Sequence, residues 1–340
     1  MKNKIMVAGN IIVDYLYPIT GYPERGQLTT IEDGCGKSVG GAVCNVGIDL
    51  KRLMPDTEIC ALGLVGDDDS GRYALSVMED EGVNTSLVGK KGATSFTYVM
   101  SDKISRERTF FQYRGANAHF SEDSFNWDDI DCDLIHIAYI LLLDELDKED
   151  REYGTKMARL LAHAKERGIK TSIDVVSETG ERFGRLVPPA LRYTDYCIIN
   201  EIEASRSTGI QLRAEDGALI YENVKKVLSK LFELGVSEWA VIHSPEGGFG
   251  MDKDGDYAEC GLVYTPSGFI KGKVGAGDAF CAGVLSAAHR GLSLLDAVKL
   301  GNAAATVSLR SPGATEAMET IEETMRICSE LGFEPVKLNK

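Results

Sequence analysis

Short apolar, β-branched runs alternate with amphipathic helical segments along most of this chain, and several of those segments end on glycine. Ile5 to Ala8 and Glu58 to Val65 read as strands, with Ser70 to Glu81 as a helix after the second. Leu134 to Ala138 is the next strand, Tyr153 to Arg167 a helix stopped by Gly168, and Thr171 to Val175 the strand after it. Tyr196 to Ile199 precedes a helix beginning after Asn200; Val224 to Leu234 is a helix closed by Gly235; Trp239 to His243 is a strand. From Gly275 the pattern is helical to Leu309, with a break near Gly291. Parallel neighbours need long crossovers, usually helical, and repeated βα units cover a sheet from both sides. The pattern predicts an α/β fold: a doubly wound, mostly parallel sheet with helices on both faces.

Two stretches break this rhythm. Ile11 to Val39 carries β-formers around turn residues Gly21, Pro23 and Gly26, and Thr94 to Tyr113 alternates over Phe96, Tyr98, Met100, Phe110 and Tyr113. Alternation of this kind marks half-buried antiparallel pairs. Neither stretch is long enough to bury a core alone, so insertions at about 11–39 and 93–114 are expected to form a small β-lid over one end of the sheet. With no internal repeat and no low-complexity linker, residues 1–340 read as one α/β domain.

Charge and composition narrow the partners. The 37 Lys and Arg against 52 Asp and Glu leave a net charge of −15, which argues against nucleic acid, because phosphate backbones need a basic footprint. A small anion is still admissible, since backbone N–H groups bind phosphate on an acidic protein. No run of 18 apolar residues occurs, so no membrane span is expected. The N-terminus runs straight into a β-like stretch and reads as the start of the fold, while Lys337-Leu338-Asn339-Lys340 carries no targeting signal. Eight cysteines are scattered without a C-x-x-C pair, which predicts reduced, buried thiols and a cytoplasmic location. The five histidines show no H-E-x-x-H or other ligand spacing, so a metalloenzyme built on histidine is disfavoured.

The sharpest local signal is Gly275-Ala276-Gly277-Asp278 running into an apolar helical segment. Paired glycines allow close backbone approach, and a helix N-terminus attracts anions. Asp278 either caps that helix or, beside a bound phosphate, takes a proton from an attacking hydroxyl. Gly40-Gly41 enters a second helix, with Asn45 one turn in, able to donate to and accept from hydroxyls; a tight turn with a solvated Asn is the plainer alternative. Gly36-Lys37-Ser38 imitates a P-loop, but the first glycine of that motif would be Ile31. Asp14 follows Ile11-Ile12-Val13, where ligands of open sheets sit, or is a turn aspartate. Asn200 and Glu203 share one helical face and suit either Mg²⁺ through its waters or a capping box. Ser244 to Gly250 is a glycine-rich turn that faces a nucleotide or forms a plain hairpin. Gly301 and Gly313 flank the last apolar helix.

The order of these pieces is more specific than any one of them. Asp14, Gly40-Gly41 with Asn45, Gly66-Asp67-Asp68-Asp69-Ser70-Gly71, Tyr113-Arg114-Gly115-Ala116-Asn117-Ala118, Asn200 with Glu203, Gly247-Gly248 and Gly275-Ala276-Gly277-Asp278 follow one another. Over about Lys4 to Gly313 the chain resembles the ribokinase (PfkB) family of carbohydrate and nucleoside kinases. The resemblance implies a ribokinase-like fold with a β-lid, ATP and Mg²⁺, and phosphorylation of a primary hydroxyl of a small sugar. It gives Asp278 the place of the catalytic base, and Gly275, Ala276 and Gly277 that of the anion hole. Asp14, Gly40, Gly41 and Asn45 match sugar contacts. Asn200 and Glu203 match the N-x-x-E motif, Glu203 serving Mg²⁺ through water, while Ser244, Gly247, Gly248 and Asn302 border the nucleotide. Lid strands pair in this family, which points to a homodimer through the lid, a monomer being the alternative.

Departures qualify the match. The aspartate that leads the family's Asp-Thr-x-Gly-Ala-Gly-Asp is Gly272 here, which argues against a monovalent-cation requirement. The lysine that follows the paired glycines in ribokinases is Ala42, which argues against ribose. Asp174-Val175-Val176-Ser177 lacks the D-x-N pattern frequent in fructokinases. Lys103, Arg106, Arg108 and Arg114 in the lid suit either an acidic sugar or a solvated face. Two other functions stay open: a nucleoside kinase whose lid aromatics Phe96, Tyr98 or Phe111 stack on a base, and a non-catalytic sugar-binding relative, against which the intact Gly-Ala-Gly-Asp speaks.

Overall fold

The computed structural model describes residues 3–105, 107–177 and 180–336. Arg106 of the lid cluster and the terminal segment 337–340 lie outside the described residues. In chain order the elements are β1 (Lys4–Gly9), β2 (Ile12–Ile19), β3 (Gly36–Gly40), α1 (Ala42–Leu53), β4 (Glu58–Val65), α2 (Asp69–Asp80), β5 (Gly89–Lys90), β6 (Phe96–Asp102) and β7 (Arg108–Tyr113). There follow β8 (Leu134–Ile140), the two-residue strands β9 (Glu149–Asp150) and β10 (Gly154–Thr155), α3 (Lys156–Glu166), β11 (Lys170–Val175), α4 (Phe183–Leu191), β12 (Tyr196–Asn200), α5 (Glu201–Thr208) and α6 (Val224–Glu233). The chain continues through β13 (Trp239–Ser244), β14 (Gly247–Asp252), β15 (Tyr257–Gly261), α7 (Ala276–His289), α8 (Leu294–Ser308) and α9 (Ile321–Leu331).

Nine strands form the main sheet in the order β15-β14-β13-β12-β11-β8-β1-β4-β5. The seven strands from β13 to β5 are parallel, and β14 and β15 add an antiparallel edge. Buried runs such as Ile5-Met6-Val7-Ala8 and Ile135-His136-Ile137-Ala138 contact apolar layers above and below, as parallel strands covered on both faces must. One layer joins these strands to α3, α4, α5 and α6; the other joins them to α1, α2, α7 and α8. Gly301, expected to flank a helix, lies inside α8: a Cβ there would meet the Phe280 ring at 2.9 Å, and Gly283 would meet Gly301 Cα at 2.9 Å. The two glycines let α7 and α8 approach closely.

Local chemistry sets several ends. The helix expected from Tyr153 begins at Lys156 because the Thr155 side chain accepts from Ala158 N–H as its cap. α4 is invisible to the glycine-and-proline punctuation of the sequence: it contains Pro188 and Pro189, which ordinarily read as a break. Among the described residues no helix is long and apolar enough to cross a membrane. No disulfide joins the cysteines of the described residues, with Cys35 exposed and the other seven buried.

The two irregular stretches form a separate sheet, β3-β2-β6-β7. β2 pairs antiparallel with β3 but parallel with β6, and β6 pairs antiparallel with β7. Its base is tied to the main body by polar bonds. Asn117 accepts from Ile11 N–H at 3.3 Å and donates to Ile11 C=O at 3.0 Å. Asp68 caps α2 and also accepts from Thr94 N–H and hydroxyl at 2.8 and 2.6 Å. Tyr15 shares a 2.7 Å hydroxyl contact with Ser70. The Gly66–Gly71 run is thus a structural junction between sheet and lid.

Candidate active site

β1 lies between β4 and β8, so the chain leaves it in one direction and later returns on its other side. Open α/β sheets hold ligands at such a switch, beyond the carboxyl ends of the strands. Asn10 follows β1 there, Tyr139 lies near the end of β8, Asp174 near the end of β11, and Asn200 ends β12.

α7 delivers Asp278 to this edge. Its N-cap, Gly275, has φ 75°, a left-handed conformation, and a Cβ at that position would meet Ala314 Cβ at 2.7 Å; glycine alone suits both constraints. No side chain caps the helix, so its first-turn N–H groups are left for an outside acceptor. Asp278 is buried. Its Oδ1 accepts from the Tyr139 hydroxyl at 2.6 Å and its Oδ2 from Asn45 Nδ2 at 2.9 Å. Burial pushes the carboxyl upward, the two donors oppose it, and the result lies above the ordinary carboxylate value. A carboxylate raised this way is a better general base than a free one.

Asn45 and Asp14 come from the two sides of the Gly40-Gly41 corner. Gly41 has φ 81°, and a Cβ on it would collide with the Asn10 carbonyl. The space a Gly40 side chain would fill is taken by the Asp14 carboxylate. Burial raises the Asp14 pKa, opposed by a hydrogen bond from Thr97. Cys44, beside Asn45, feels the charges of both Asp14 and Asp278, so the two carboxylates belong to one neighbourhood. Asn10 Nδ2 and Arg114 Nη1 are buried without a hydrogen-bond partner among the described residues, an arrangement that leaves donors for a polar ligand.

At β12, the capping box and the candidate phosphate-side motif are the same residues. Asn200 Oδ1 accepts from Ile202 and Glu203 N–H at 2.9 Å each, and Glu203 Oε2 accepts from Asn200 N–H at 2.9 Å. Ser177 donates to Glu203 Oε1 at 2.8 Å and accepts from Asn200 Nδ2 at 3.0 Å. Burial pushes Glu203 up. Asp174 is raised well above its ordinary value by burial and by the charges of Glu203 and Asp278. Among the described residues no three metal-ligating side chains gather. The side-chain oxygens of Asn200 and Glu203 each accept a hydrogen bond within this cluster.

The other expected nucleotide residues each make contacts within the fold. Ser244 Oγ accepts from Glu246 N–H and donates to Gly247 C=O inside a tight β13–β14 hairpin. Gly247 and Gly248 are buried, Gly248 against Val298 and Phe280. Asn302 Nδ2 donates to Cys260 and Gly261 carbonyls at 2.8 and 3.0 Å, fastening α8 to β15. The turn's Glu246 pairs with Arg213, which also holds Glu201.

Sequence reasoning passed over Tyr139, Asn10 and the placement of Asp174. All three sit at strand carboxyl ends, the place expected of Asp14, which instead lies inside lid strand β2; the same test applied to every strand finds them.

The doubly wound sheet with its lid makes this a ribokinase-like α/β protein. Ribokinase from Arabidopsis thaliana, solved with ribose and ATP, superposes with a TM-score of 0.78 at 19% identity, covering 96% of this chain and 99% of that one. The chain belongs to the pfkB family: residues 2–321 match the family described as pfkB family carbohydrate kinase. It is accordingly a phosphotransferase with an alcohol group as acceptor, a sugar or nucleoside kinase. A 5-dehydro-2-deoxygluconokinase from Geobacillus thermodenitrificans is 24% identical over 303 residues, 84% of this chain and 83% of that protein. A nucleoside kinase from Methanocaldococcus jannaschii is 24% identical over 327 residues, 95% of each.

Proposed function

We propose that this chain transfers the γ-phosphoryl group of ATP to a primary hydroxyl of a small sugar, with Asp278 as general base. The observation that carries this is the buried Asp278 carboxylate, held by Tyr139 and Asn45 in the first turn of an uncapped helix. Asp278 takes the hydroxyl proton as the oxygen bonds to phosphorus, and the bond from phosphorus to the β-phosphate oxygen breaks, releasing ADP. The N–H groups after Gly275, through Ala276 and Gly277, stabilise charge on the phosphoryl oxygens. Asp14, Gly40, Gly41 and Asn45 receive the sugar, whose hydroxyls suit the Asp14 carboxylate and the free Asn10 amide. Asn200 and Glu203 hold Mg²⁺ through its waters; when bound, the ion neutralises phosphate charge. Ser244, Gly247, Gly248 and Asn302 form the packed floor behind the nucleotide.

Two features favour a sugar over a nucleoside and argue against a monovalent cation. Strand register puts Phe96, Tyr98 and Phe111 on one lid face and Asp14, Thr97 and Phe110 on the other, so the aromatic cluster is turned away from the substrate carboxylate. At Gly272, where the family's leading aspartate stands, a Cβ would meet the Pro312 backbone at 2.7 Å. The edge strand β7, exposed along its whole length, is the surface through which the lid pairs in a homodimer, and sedimentation across a dilution series tests it. ADP release from Mg·ATP over a panel of pentoses, hexoses, sugar acids and nucleosides tests the function. Turnover on one sugar is expected, unchanged when K⁺ is replaced; turnover on nucleosides alone, or on nothing, contradicts the proposal.

A further inference from the structure

α1 carries a second acidic side chain toward the site that no motif marks. Asp49 lies four residues after Asn45, hence one turn along the same helical face. It is fully buried, and both its carboxyl oxygens are without a hydrogen-bond partner among the described residues. An orphaned buried carboxyl is costly and calls for an explanation. Arg52, whose positive charge acts on Asp49, does not supply one. Arg52 spends its guanidinium on Glu81 and on the carbonyls of Thr315 and Glu316. One turn above, the Asn45 side chain has a complementary gap: its Nδ2 holds Asp278, while its Oδ1 is buried with no partner among the described residues. An acceptor without a donor and a carboxyl without a partner therefore sit at (i, i+4) spacing, with Cβ atoms about 5–6 Å apart in any helix.

We propose that Asp49 is a positioning residue: its carboxyl group carries a proton and donates it, directly or through one water, to Asn45 Oδ1, fixing the amide that holds Asp278. An amide with both ends bonded cannot flip, so Asn45 keeps its N–H on the base. The groups facing Asp49 agree with a neutral acid. Asp278 reaches it from α7, Glu81 from the turn after α2, Glu316 from the loop before α9, and Arg52 from its own helix. Burial and the three carboxylates push its pKa well up, against the arginine alone. That direction agrees with a protonated Asp49 beneath the Asp278 carboxylate. This inference rests on the assignment of Asp278 as base.

The test compares wild type, Asp49→Asn and Asp49→Leu on the acceptor the wild type phosphorylates. Asparagine keeps a donor at the same place; leucine keeps the volume and loses the donor. Asp49→Leu is expected to lower kcat about 10- to 100-fold, the scale of a slightly misplaced catalytic group, with the sugar KM little changed. Its acid limb of kcat should move to higher pH, because a loosened Asn45 no longer favours the carboxylate form of Asp278. Asp49→Asn is expected to restore most of the rate. Equal loss in both variants, or an unshifted limb in Asp49→Leu, overturns the proposal. Should Asp49→Leu fail to fold, the infrared difference spectrum of wild type minus Asp49→Asn decides it at neutral pH. A protonated-carboxyl carbonyl band supports the assignment, and a carboxylate band overturns it. A wild type that phosphorylates nothing defeats the kinase proposal separately, while the infrared result still judges Asp49.

Discussion

The carboxyl edge of the main sheet and the lid hold their residues on different terms. At the edge, Asp278 is buried, bonded at both oxygens, and carried by a helix packed between α1 and α8. In the lid, every residue of β7 is exposed, and the sheet is tied down mainly at its base, through Asn117, Asp68 and Tyr15. Few buried apolar contacts place an element at the low-stability end of a fold. Under the proposed reaction the difference is a division of labour: the group that would take the proton is held by buried bonds, and the sheet that would cover the substrate is held mainly at its base.

Substitutions at the two regions should therefore split between kcat and KM. Replacing Asp278 by Asn is expected to cost on the order of 10²–10⁴ in kcat, with a thermal melt close to wild type; steady-state kinetics beside a melting curve checks it. Tyr139→Phe removes one donor from the base and should lower kcat roughly 10-fold, the equivalent of one charged hydrogen bond of about 1.5–3 kcal/mol only partly lost. That bond favours the carboxylate form, so its loss raises the Asp278 pKa further, and the acid limb of the kcat–pH profile should move to higher pH. A limb that moves down breaks the comparison. Asn117→Ala strips the buried Ile11 N–H and C=O of their partner at the lid base. It should destabilise by about 1–3 kcal/mol and raise the sugar KM more than it lowers kcat, as urea denaturation and kinetics can report. Phe111→Ser, on the exposed face away from Asp14, should shift stability by no more than about 0.5 kcal/mol and leave sugar kcat/KM unchanged. A large loss there would return the aromatic face to substrate recognition.

Periodicity made the parallel part of the fold legible, because β-branched runs, amphipathic helices and stop glycines such as Gly168 and Gly235 are local signals. The antiparallel edge was legible only as a hairpin, one of two readings of the 244–250 turn, because β14 is glycine-rich and β15 is short. α4 was hidden by Pro188-Pro189. The parallel β2–β6 pair was hidden because both stretches carry antiparallel turn signals. In the site, Asp278, Asn45 and Asp14 stood out through the glycines that make room for them. Tyr139 did not, since it meets Asp278 across 139 positions of sequence and carries no motif of its own. Asn200 and Glu203 were legible as a capping box, and the structure shows that box. Gly247, Gly248 and Asn302 show the limit of spacing: composition marks them, and only the structure shows which contacts they make within the fold.

The most direct test of Asp278 as the base is the kcat–pH profile of wild type beside Asp278→Asn, on the acceptor that the panel identifies. The account predicts a wild-type rate that falls with a single protonation as pH drops, with its midpoint above the ordinary aspartate value, because burial raises the Asp278 pKa. In the variant that limb should vanish, leaving a low rate that is flat over the same range. A variant that keeps both the limb and a near-wild-type rate would assign the proton transfer to another group and contradict the account.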